Sequence, residues 1–393
     1  MTKSVTVAGG GLGGLVAAIE LAEQGWEVEL HERSAELGGN ASTDPGPYRT
    51  NMGPHAFYTN NPLFGWMERR GLLPPLVIPG AADLWGFRVI DRGVRRHLLR
   101  LVPGLARRLR SAPETGTDLS YREWTRSVHG GVWAERLVGL ASLPTFHEDP
   151  GRLSASTVHS AMRAAWVEGR VRYVRGGFGT LVEVLAARAR DLGVAVHVAS
   201  PVDALPDGPC ILAVDLDAAR RLTGDDGLRW PGDPLALLDV AVTASRRDGL
   251  ALLDLDEHVW ANVYSSGDPT LTPTGTRLLQ AHAGMRDGED LAGAVGRIET
   301  HLDDHLPGWR ERERWRRRRV MRSGATPADP PGTTWHDRPA VRRADGLYVV
   351  NDRMAQPGLL SSVSVAAARA AVTDLTGARS GSAGGGTVAT STV

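Results

Sequence analysis

The fold of this chain is decided near its start, where residues 4–40 read SVTVAGGGLGGLVAAIELAEQGWEVELHERSAELGGN. A short apolar run, Ser4–Ala8, predicts a buried β-strand. Glycines follow, and residues 15–24 then have the apolar spacing of an α-helix. A second apolar run, Glu27–His31, predicts a parallel strand, so the stretch has the order of a βαβ unit.

The glycine turn between the first strand and the helix has the spacing of a dinucleotide-binding site. Gly9, Gly11 and Gly14 satisfy the pattern G-x-G-x-x-G, and Gly13 lies in the same turn. The first glycine permits a tight turn, the second lets a pyrophosphate approach the backbone, and the third lets the helix pack closely on the sheet. The free N–H groups at the start of the helix would then hold phosphate oxygens.

An acidic residue closes the second strand, as this kind of site requires. Glu32 lies 23 residues after Gly9. A carboxylate at this place is expected to accept hydrogen bonds from the ribose hydroxyl groups. It would also repel a 2′-phosphate, so NADP is a poor candidate for this site.

The composition limits the classes of protein that the chain can be. Its 393 residues are enough for two domains, and its formal net charge of zero predicts no general attraction to nucleic acid. The single cysteine, Cys210, excludes an intramolecular disulfide. No signal peptide and no transmembrane run is visible, so we expect a cytoplasmic protein. The single lysine, Lys3, precedes the first strand, which disfavours chemistry that needs an active-site lysine.

A second glycine pair follows the acidic residue and separates flavin sites from ordinary NAD sites. The segment from Glu32 and Arg33 continues to Gly38, Gly39 and Asn40. It resembles the flavin-binding signature of the FAD-dependent amine oxidase and phytoene desaturase superfamily. In that family the pair carries the chain past the flavin's pyrophosphate and ribityl groups, so the resemblance implies non-covalently bound FAD.

The resemblance continues along the chain, most clearly at its two ends. Residues 51–58 (NMGPHAFY) look like the segment that returns to the flavin, and residues 175–181 (RGGFGTL) resemble the family's later helix start. The match implies that Val202 contacts the adenine and that Asp352 meets the ribityl or phosphate region. Leu359 and Leu360 would begin a last helix that points at the flavin ring. Asn351 stands where the family has glycine, which is a departure from the pattern.

The resemblance implies an α/β fold of two interleaved domains. A discontinuous, Rossmann-like FAD-binding domain would comprise residues 1–65, 171–232 and 325–376. An inserted α+β substrate domain would comprise residues 66–170 and 233–324. Residues 377–393 are rich in Gly, Ser, Thr and Ala and predict a disordered tail.

The family implies an oxidoreductase of the desaturase or dehydrogenase type, which removes hydride from an apolar small molecule of secondary metabolism. The electron acceptor stays open among oxygen, a quinone and NAD. An alternative is a non-redox flavin enzyme that resembles UDP-galactopyranose mutase, because residues 38–61 are also similar to that enzyme. A third is a catalytically degenerate partner subunit, which the change at Asn351 suggests.

Few side chains stand out as candidates for catalysis, and we find no candidate metal ligands. His55 lies in the returning segment, where an imidazole could move a proton at neutral pH or serve a structural role beneath the flavin. Tyr58 and Asn51 share that loop. Trp85, Trp133, Trp166 and Trp260 could line an apolar tunnel or could simply pack in the core.

Two arginine-rich segments also have more than one interpretation. Residues 92–110 contain seven arginines with leucines between them, and residues 310–322 contain eight arginines. The first segment, with a predicted helix near residues 95–110, could contact a membrane surface, guide an anionic substrate or form a solvated helix face. The second is expected to be a solvated edge strand.

Overall fold

The computed structural model describes residues 3–377, apart from residues 54, 81–84, 114, 117, 246–247, 249–250 and 307. Its strands, numbered along the chain, are β1 (Ser4–Ala8), β2 (Glu27–His31), β3 (Phe57–Tyr58), β4 (Leu76–Val77), β5 (Phe87–Asp91), β6 (Val94–His97), β7 (Val171–Val174), β8 (Ala195–His197), β9 (Cys210–Leu212), β10 (Leu235–Thr243), β11 (Ala251–Asp254), β12 (Val259–Asn262), β13 (Thr276–Gly284), β14 (Glu313–Met321), β15 (Arg342–Ala344) and β16 (Leu347–Val349).

The helices are numbered in the same way. They are α1 (Leu12–Glu23), α2 (Pro62–Glu68), α3 (Val102–Ser111), α4 (Tyr121–His129), α5 (Gly131–Thr145), α6 (Ala155–Arg163), α7 (Phe178–Asp191), α8 (Leu216–Thr223), α9 (Leu291–His305) and α10 (Ser361–Thr376). A π-helical turn, Ala164–Glu168, directly follows α6. Within the described residues, no helix combines the length and the apolarity that crossing a membrane requires.

A six-stranded sheet carries the start of the chain, in the order β15-β16-β9-β1-β2-β8. The pairs from β16 to β8 are parallel, and Val7 lies beside Leu30 on one side and Ile211 on the other. These three side chains are fully buried, as expected for the centre of a parallel sheet. Helix α1 packs against α7 and α10, and their apolar residues form one core with the sheet.

The second large sheet is seven-stranded and mainly antiparallel, in the order β14-β10-β13-β12-β11-β5-β6. Helix α9 packs on it through Ile298 and Leu302, which share a core with Val240 of β10. The helices α3 to α6 form a separate apolar cluster with β5 and β11. A small sheet, β3-β7-β4, lies between these parts of the chain.

The α/β architecture with a Rossmann-like sheet is confirmed, and β1 and β2 have the predicted bounds. One local prediction is wrong. The helix expected near residues 95–110 begins only at Val102, because residues 94–97 are β6, which pairs with β5. The apolar periodicity of residues 94–97 does not reveal that they pair with β5. Residues 378–393, most of the predicted disordered tail, lie outside the described residues.

A buried ion pair connects the inserted helices to the later part of the chain. Arg338 donates to both carboxylate oxygens of Asp329 at 2.8 and 2.6 Å, and both side chains are almost completely buried. The same carboxylate accepts hydrogen bonds from Trp230 Nε1 at 3.0 Å and from Thr157 Oγ1 of α6 at 2.7 Å. Asp329 therefore fixes three separate segments relative to one another.

We predict that Asp329→Asn lowers the free energy of unfolding by about 3–5 kcal/mol, because it leaves the Arg338 charge buried without its counterion. Urea denaturation followed by circular dichroism measures the change. Asp345→Asn is the matched control, since the Asp345 side chain is fully exposed and forms its ion pair with Arg342 at the surface. An equal effect of the two substitutions would contradict the assignment.

Candidate functional site

The glycine turn between β1 and α1 is shaped by close contacts of the backbone. Gly9 has a φ of +109°, and a Cβ atom there would lie 2.1 Å from the carbonyl oxygen of Ala213. A Cβ atom on Gly14 would lie 1.9 Å from the carbonyl oxygen of Gly9. These two glycines therefore let α1 and β9 approach the turn.

Gly11 differs from its neighbours, because the protein itself does not require a glycine there. Its φ of −76° is accessible to any residue, and a Cβ atom would meet only the Gly38 oxygen, at 3.8 Å. Gly11 also lies in the wall of a cavity. No side chain caps the start of α1, so its first N–H groups are free to bind an anion. The turn thus has the open surface that a pyrophosphate needs.

The carboxylate of Glu32 connects the turn to the end of β2. Its Oε2 accepts a hydrogen bond from the Gly10 N–H, and its Oε1 accepts one from the Ser34 N–H, both at 2.8 Å. Glu32 is only 7% exposed. Each carboxylate oxygen can accept more than one hydrogen bond, so ribose hydroxyl groups could still bind to this fixed side chain.

The second glycine pair lies directly against the first. The Gly38 N–H donates to the Gly10 carbonyl at 2.8 Å, and Gly38 forms an isolated bridge with Gly11. Gly38 has a φ of +121° and Gly39 one of +53°, which favour glycine at both positions. The two motifs that are separate in the sequence form one continuous backbone surface.

A single cavity of about 2500 Å³ begins at this surface and extends to the inserted helices. Its volume exceeds the range of roughly 300–1,000 Å³ that one small ligand occupies, which leaves space for a dinucleotide and a second molecule. The cavity wall includes the predicted cofactor-binding residues and His55: Gly9, Gly11, Gly13, Gly14, Glu32, Arg33, Gly38, Gly39, Asn40, His55, Val202, Asp352, Leu359 and Leu360. Of the other two candidates in the His55 loop, Tyr58 lies in the wall and Asn51 does not.

The hydrogen bonds of Asn351 give this residue a structural role at the position where the family has glycine. The Asn351 amide donates to the Val214 carbonyl at 3.0 Å and its Oδ1 accepts from the Arg353 N–H at 2.8 Å, so this side chain closes a local turn. Asp352 lies beside it in the cavity wall, where desolvation raises the pKa of its carboxyl group. Leu360, just before α10, has a φ of +47°, a strained conformation for a branched residue.

His55 lies in the wall between the two ends of the cavity, but both of its ring nitrogens face the chain's own backbone. Nδ1 is 2.7 Å from the Gly53 carbonyl oxygen, and Nε2 is 3.0 Å from the Asn40 carbonyl oxygen. Burial lowers the pKa of the imidazole, and the two carbonyl contacts oppose that effect. A neutral ring carries one N–H and can donate to only one of the two carbonyls. This geometry favours a positioning role.

Two polar residues near His55 hold the start of α7, which the sequence did not indicate. The Asn51 Oδ1 accepts from the Phe178 N–H at 2.9 Å, and the Thr43 Oγ1 accepts from the Gly179 N–H at 2.7 Å. Thr43 also donates to Asn51 at 2.7 Å. The two side chains and the α7 backbone that they hold are over a hundred residues apart in the sequence, so no local pattern could have revealed these contacts.

The far end of the cavity is a chamber with an apolar and aromatic wall. Its side chains include Phe87, Leu98, Val102, Phe146, Trp166 and Trp260. Of the four tryptophans considered from the sequence, Trp166 and Trp260 thus line the chamber. Trp85 is 63% exposed and Trp133 packs against Arg108 and Arg136. The chamber offers an apolar molecule a large buried surface.

Ion pairs account for most arginines of the second segment, whereas in the first segment it is several leucines that are buried. Strand β14 is an edge strand, and arginines within it and just before it pair with acidic residues from several elements. The pairs join Arg310, Arg312, Arg316, Arg317, Arg318 and Arg319 to Asp44, Asp239, Asp248, Glu299, Asp303 and Glu313. In the first segment, Leu98, Leu101 and Leu105 are buried in the core, whereas Leu99 is 38% exposed.

The structure also bears on whether the chain could bind a metal ion or attach a cofactor covalently. Among the residues that are described, no group of three or more metal-ligating side chains is found. Cys210 is buried within β9, and this burial raises the pKa of its thiol to about 12. A thiol in this state is a poor nucleophile for a covalent bond to a cofactor.

We predict that Gly11→Ala keeps the stability of the protein but weakens coenzyme binding about tenfold, because the new methyl group enters the cavity and not the protein core. Gly14→Ala should instead destabilise the fold by about 3 kcal/mol through its clash with Gly9. Thermal denaturation and the coenzyme content of the purified variants measure the two effects. A strongly destabilised Gly11→Ala variant would contradict this distinction.

Comparison with known proteins agrees with this geometry. A model of the NAD(P)-binding Rossmann-like domain family matches residues 7–69. The 4,4'-diapolycopen-4-al dehydrogenase of Metabacillus indicus is 23% identical over 236 residues, which are 49% of this chain and 48% of that protein. The chain therefore spans about half the length of this curated relative.

Solved structures match over nearly the whole chain. An oxidoreductase from Methanosarcina mazei aligns with a TM-score of 0.74 and 16% identity, covering 93% of this chain and 99% of the other. Cyclohexylamine oxidase from Brevibacterium oxydans IH-35A aligns with a TM-score of 0.71 and 14% identity, covering 95% and 99%. Reduced UDP-galactopyranose mutase aligns with a TM-score of 0.70 and 14% identity, covering 96% and 95%.

The names of the dehydrogenase and oxidase relatives agree with the expected oxidoreductase class, and the mutase shares the same fold. The predicted resemblance is therefore confirmed: this chain is similar to a dehydrogenase in sequence over part of its length, and it shares the fold of solved flavin-enzyme relatives such as cyclohexylamine oxidase.

Proposed function

We propose that this chain is an FAD-dependent oxidoreductase of the desaturase or dehydrogenase type, which oxidises an apolar small molecule. The observation that carries the proposal is the single cavity, which joins a glycine-rich anion site to an apolar chamber. One end has the backbone surface of a dinucleotide site, and the other end has the wall of a site for an apolar molecule. The proposal includes non-covalent attachment of FAD and a cytoplasmic location.

The residues of the cavity wall are suited to hold FAD. Gly11 and the start of α1 would bind the pyrophosphate, Glu32 the adenosine ribose, and Val202 the adenine. Asp352 and the start of α10 would lie at the flavin end. When bound there, FAD supplies the acceptor for a hydride from the substrate. The chamber residues would contribute by excluding water and by orienting the substrate.

The lysine content separates this chain from one part of the superfamily. The sequence contains a single lysine, and Lys3 lies at the edge of β1, away from the apolar chamber. A reaction that depends on an active-site lysine is therefore disfavoured. We propose hydride removal with little proton transfer by the protein, for which an apolar chamber is sufficient.

The division into domains is part of the proposal. Residues 1–65, 171–232 and 325–376 would form the FAD-binding domain, and residues 66–170 and 233–324 the substrate-binding domain. The strands of the six-stranded sheet come from the first set of ranges, and those of the seven-stranded sheet come from the second.

Contact with a membrane surface remains an additional proposal. Ile78, Trp85, Val94 and Leu99 are exposed apolar side chains, and Leu99 also lines the chamber. Arg92, Arg100 and Arg107 are exposed in the same segment of chain. Apolar and basic side chains together favour an anionic lipid surface, from which an apolar substrate could enter.

A mutase that acts on a UDP-sugar is the second candidate, favoured by the similarity of the fold. An apolar molecule suits the apolar part of the chamber wall better than a sugar nucleotide does, because it has no hydroxyl or phosphate groups that need partners there. The mutase would require pre-reduced flavin and would show no net redox change. A UDP-sugar that shifts the flavin spectrum would favour it over the oxidoreductase.

We predict that the purified protein releases FAD upon denaturation. The apolar fraction of a metabolite extract from the producing organism should bleach the bound flavin under anaerobic conditions, whereas the polar fraction should not. Absorption spectroscopy and chromatography of the released coenzyme provide the measurements. A colourless protein that binds no added FAD would contradict the proposal, and flavin that cannot be reduced would indicate the degenerate partner subunit.

For His55 we predict a positioning role, so His55→Gln should weaken FAD binding but keep the pH profile of flavin bleaching. Burial lowers the pKa of the imidazole, which is therefore neutral at and above pH 7 and is no source of charge there. The rate of anaerobic bleaching across pH 5–9 is the measurement. Loss of an inflection in His55→Gln would instead identify His55 as a proton carrier, which is the other role that the sequence left open.

A further inference from the structure

Three tyrosines from separate elements line one part of the cavity wall. Tyr58 ends β3, Tyr173 lies in β7, and Tyr264 begins a short 3₁₀ turn after β12. The rings of Tyr173 and Tyr264 meet edge to face, with their centroids 5.5 Å apart. Burial raises the pKa of Tyr264, and the neighbouring phenols of Tyr173 and Tyr58 raise it further. The three phenol groups therefore lie close together, and Tyr264 is protonated at neutral pH.

An amide side chain adds to this part of the wall. Asn262 ends β12, and its side chain contacts the Tyr264 hydroxyl, which also contacts the His55 backbone. Alternate residues of a strand lie on the same face, so Asn262 and Trp260 both face the cavity whose wall they line. We call Tyr58, Asn262 and Tyr264 the polar patch. It lies between the apolar chamber, which Trp260 lines, and the loop that carries His55.

The hydroxyl group of Tyr58 is accessible to a molecule in the cavity. Tyr58 lines the cavity and is only half-buried. The described residues form no hydrogen bond with its hydroxyl, yet that oxygen is not enclosed, unlike the Tyr121 hydroxyl, which is shielded from solvent without a partner. Burial and the nearby Tyr173 raise the pKa of Tyr58, so its phenol is protonated. It can donate one hydrogen bond and accept another at the cavity surface.

The polar patch suits a neutral group better than a charged one. Its amide and its protonated phenols carry no formal charge, and they can both donate and accept hydrogen bonds. Asp268 is the acidic residue nearest to Tyr264 in the sequence. Its two carboxylate oxygens accept hydrogen bonds from the Gly176 N–H at 2.6 Å and the Thr270 N–H at 3.0 Å. An ammonium or carboxylate group would lose its water shell at the patch without gaining an opposite charge from it.

We propose that the polar patch binds a neutral carbonyl or hydroxyl oxygen of the substrate, whose apolar body lies in the chamber. This inference rests on the proposed function and names the substrate class for the same cavity. Tyr58 forms the hydrogen bond to the oxygen, while Asn262 and Tyr264 orient it beside the loop that carries His55. A site built to bind a polar group disfavours the analogue that lacks it, so Tyr58 is a specificity-determining residue.

Three probes with one carbon skeleton test the proposal: 2-acetylnaphthalene, 2-ethylnaphthalene and 1-(2-naphthyl)ethylamine. They carry a neutral oxygen, no polar group and an ammonium group, respectively. Anaerobic equilibrium dialysis of the full-length protein gives the dissociation constant of each probe, from its free concentration in the protein-free compartment. This readout does not depend on flavin reduction. Its failure can therefore be distinguished from failure of the FAD proposal, which coenzyme analysis measures separately.

We expect the ratio of ketone affinity to hydrocarbon affinity to fall about tenfold in Tyr58→Phe, which keeps the ring and removes the hydroxyl. Tyr121→Phe is the matched control, because the Tyr121 hydroxyl is enclosed in the apolar cluster of the inserted helices. An unchanged ratio in Tyr58→Phe, or an equal fall in both variants, would overturn the proposal. So would failure of the wild-type protein to bind any of the probes.

The amine probe tests the charge of the group that is bound. If Tyr58→Phe lowered the affinity for the amine as much as that for the ketone, the polar patch would be a site for an ammonium group. That result would overturn the assignment to a neutral oxygen.

Infrared spectroscopy of wild-type protein keeps the test independent of the variant's stability. The carbonyl stretching band of ¹³C-carbonyl-labelled 2-acetylnaphthalene should lie at a lower frequency in the protein than in hexane, because a hydrogen bond weakens the carbonyl bond. A band at the hexane frequency with saturating ketone would contradict a hydrogen bond from the polar patch.

Discussion

The close approach of backbone segments at the first glycine turn is the constraint on which the structure depends. Gly14 lies against the carbonyl of Gly9, and the N–H of Gly38 binds the carbonyl of Gly10. Side chains at these contacts would separate α1 from the sheet. The Glu32 carboxylate then joins the turn to the end of β2. The anion-binding end of the cavity is thus made mainly of backbone, with one carboxylate that is held in place.

Charged side chains connect this end to the inserted sheet. Arg317 of β14 donates to Asp239 of β10 at 2.6 Å and also forms an ion pair with Asp44. Arg317 and Gln280 both donate to the Asn51 carbonyl, at 3.1 and 3.2 Å. These contacts hold the loop that leads to His55 against the seven-stranded sheet through the Asn51 carbonyl.

This difference between backbone and side-chain contacts explains what the sequence could predict. The motifs from Gly9 to Gly39 are local, so their spacing was enough to predict β1, α1, β2 and the cavity surface beside them. The strand β6 was missed, because pairing with β5 decided its structure and not its own periodicity. The roles of Asp329 and Arg317 depend on partners many residues away. No spacing rule in a single sequence contains that information.

The two ends of the cavity differ in how well they can be recognised from the sequence. A dinucleotide site needs glycines, a helix start and an acid, and these leave a recognisable pattern. The chamber is built from single side chains of distant elements, such as Phe87, Trp166 and Trp260. Leu360 lies in the cavity wall just before α10 with a strained φ of +47°, which the surrounding packing must maintain. Because a strained backbone costs stability, its presence in the cavity wall suggests a functional role for this position.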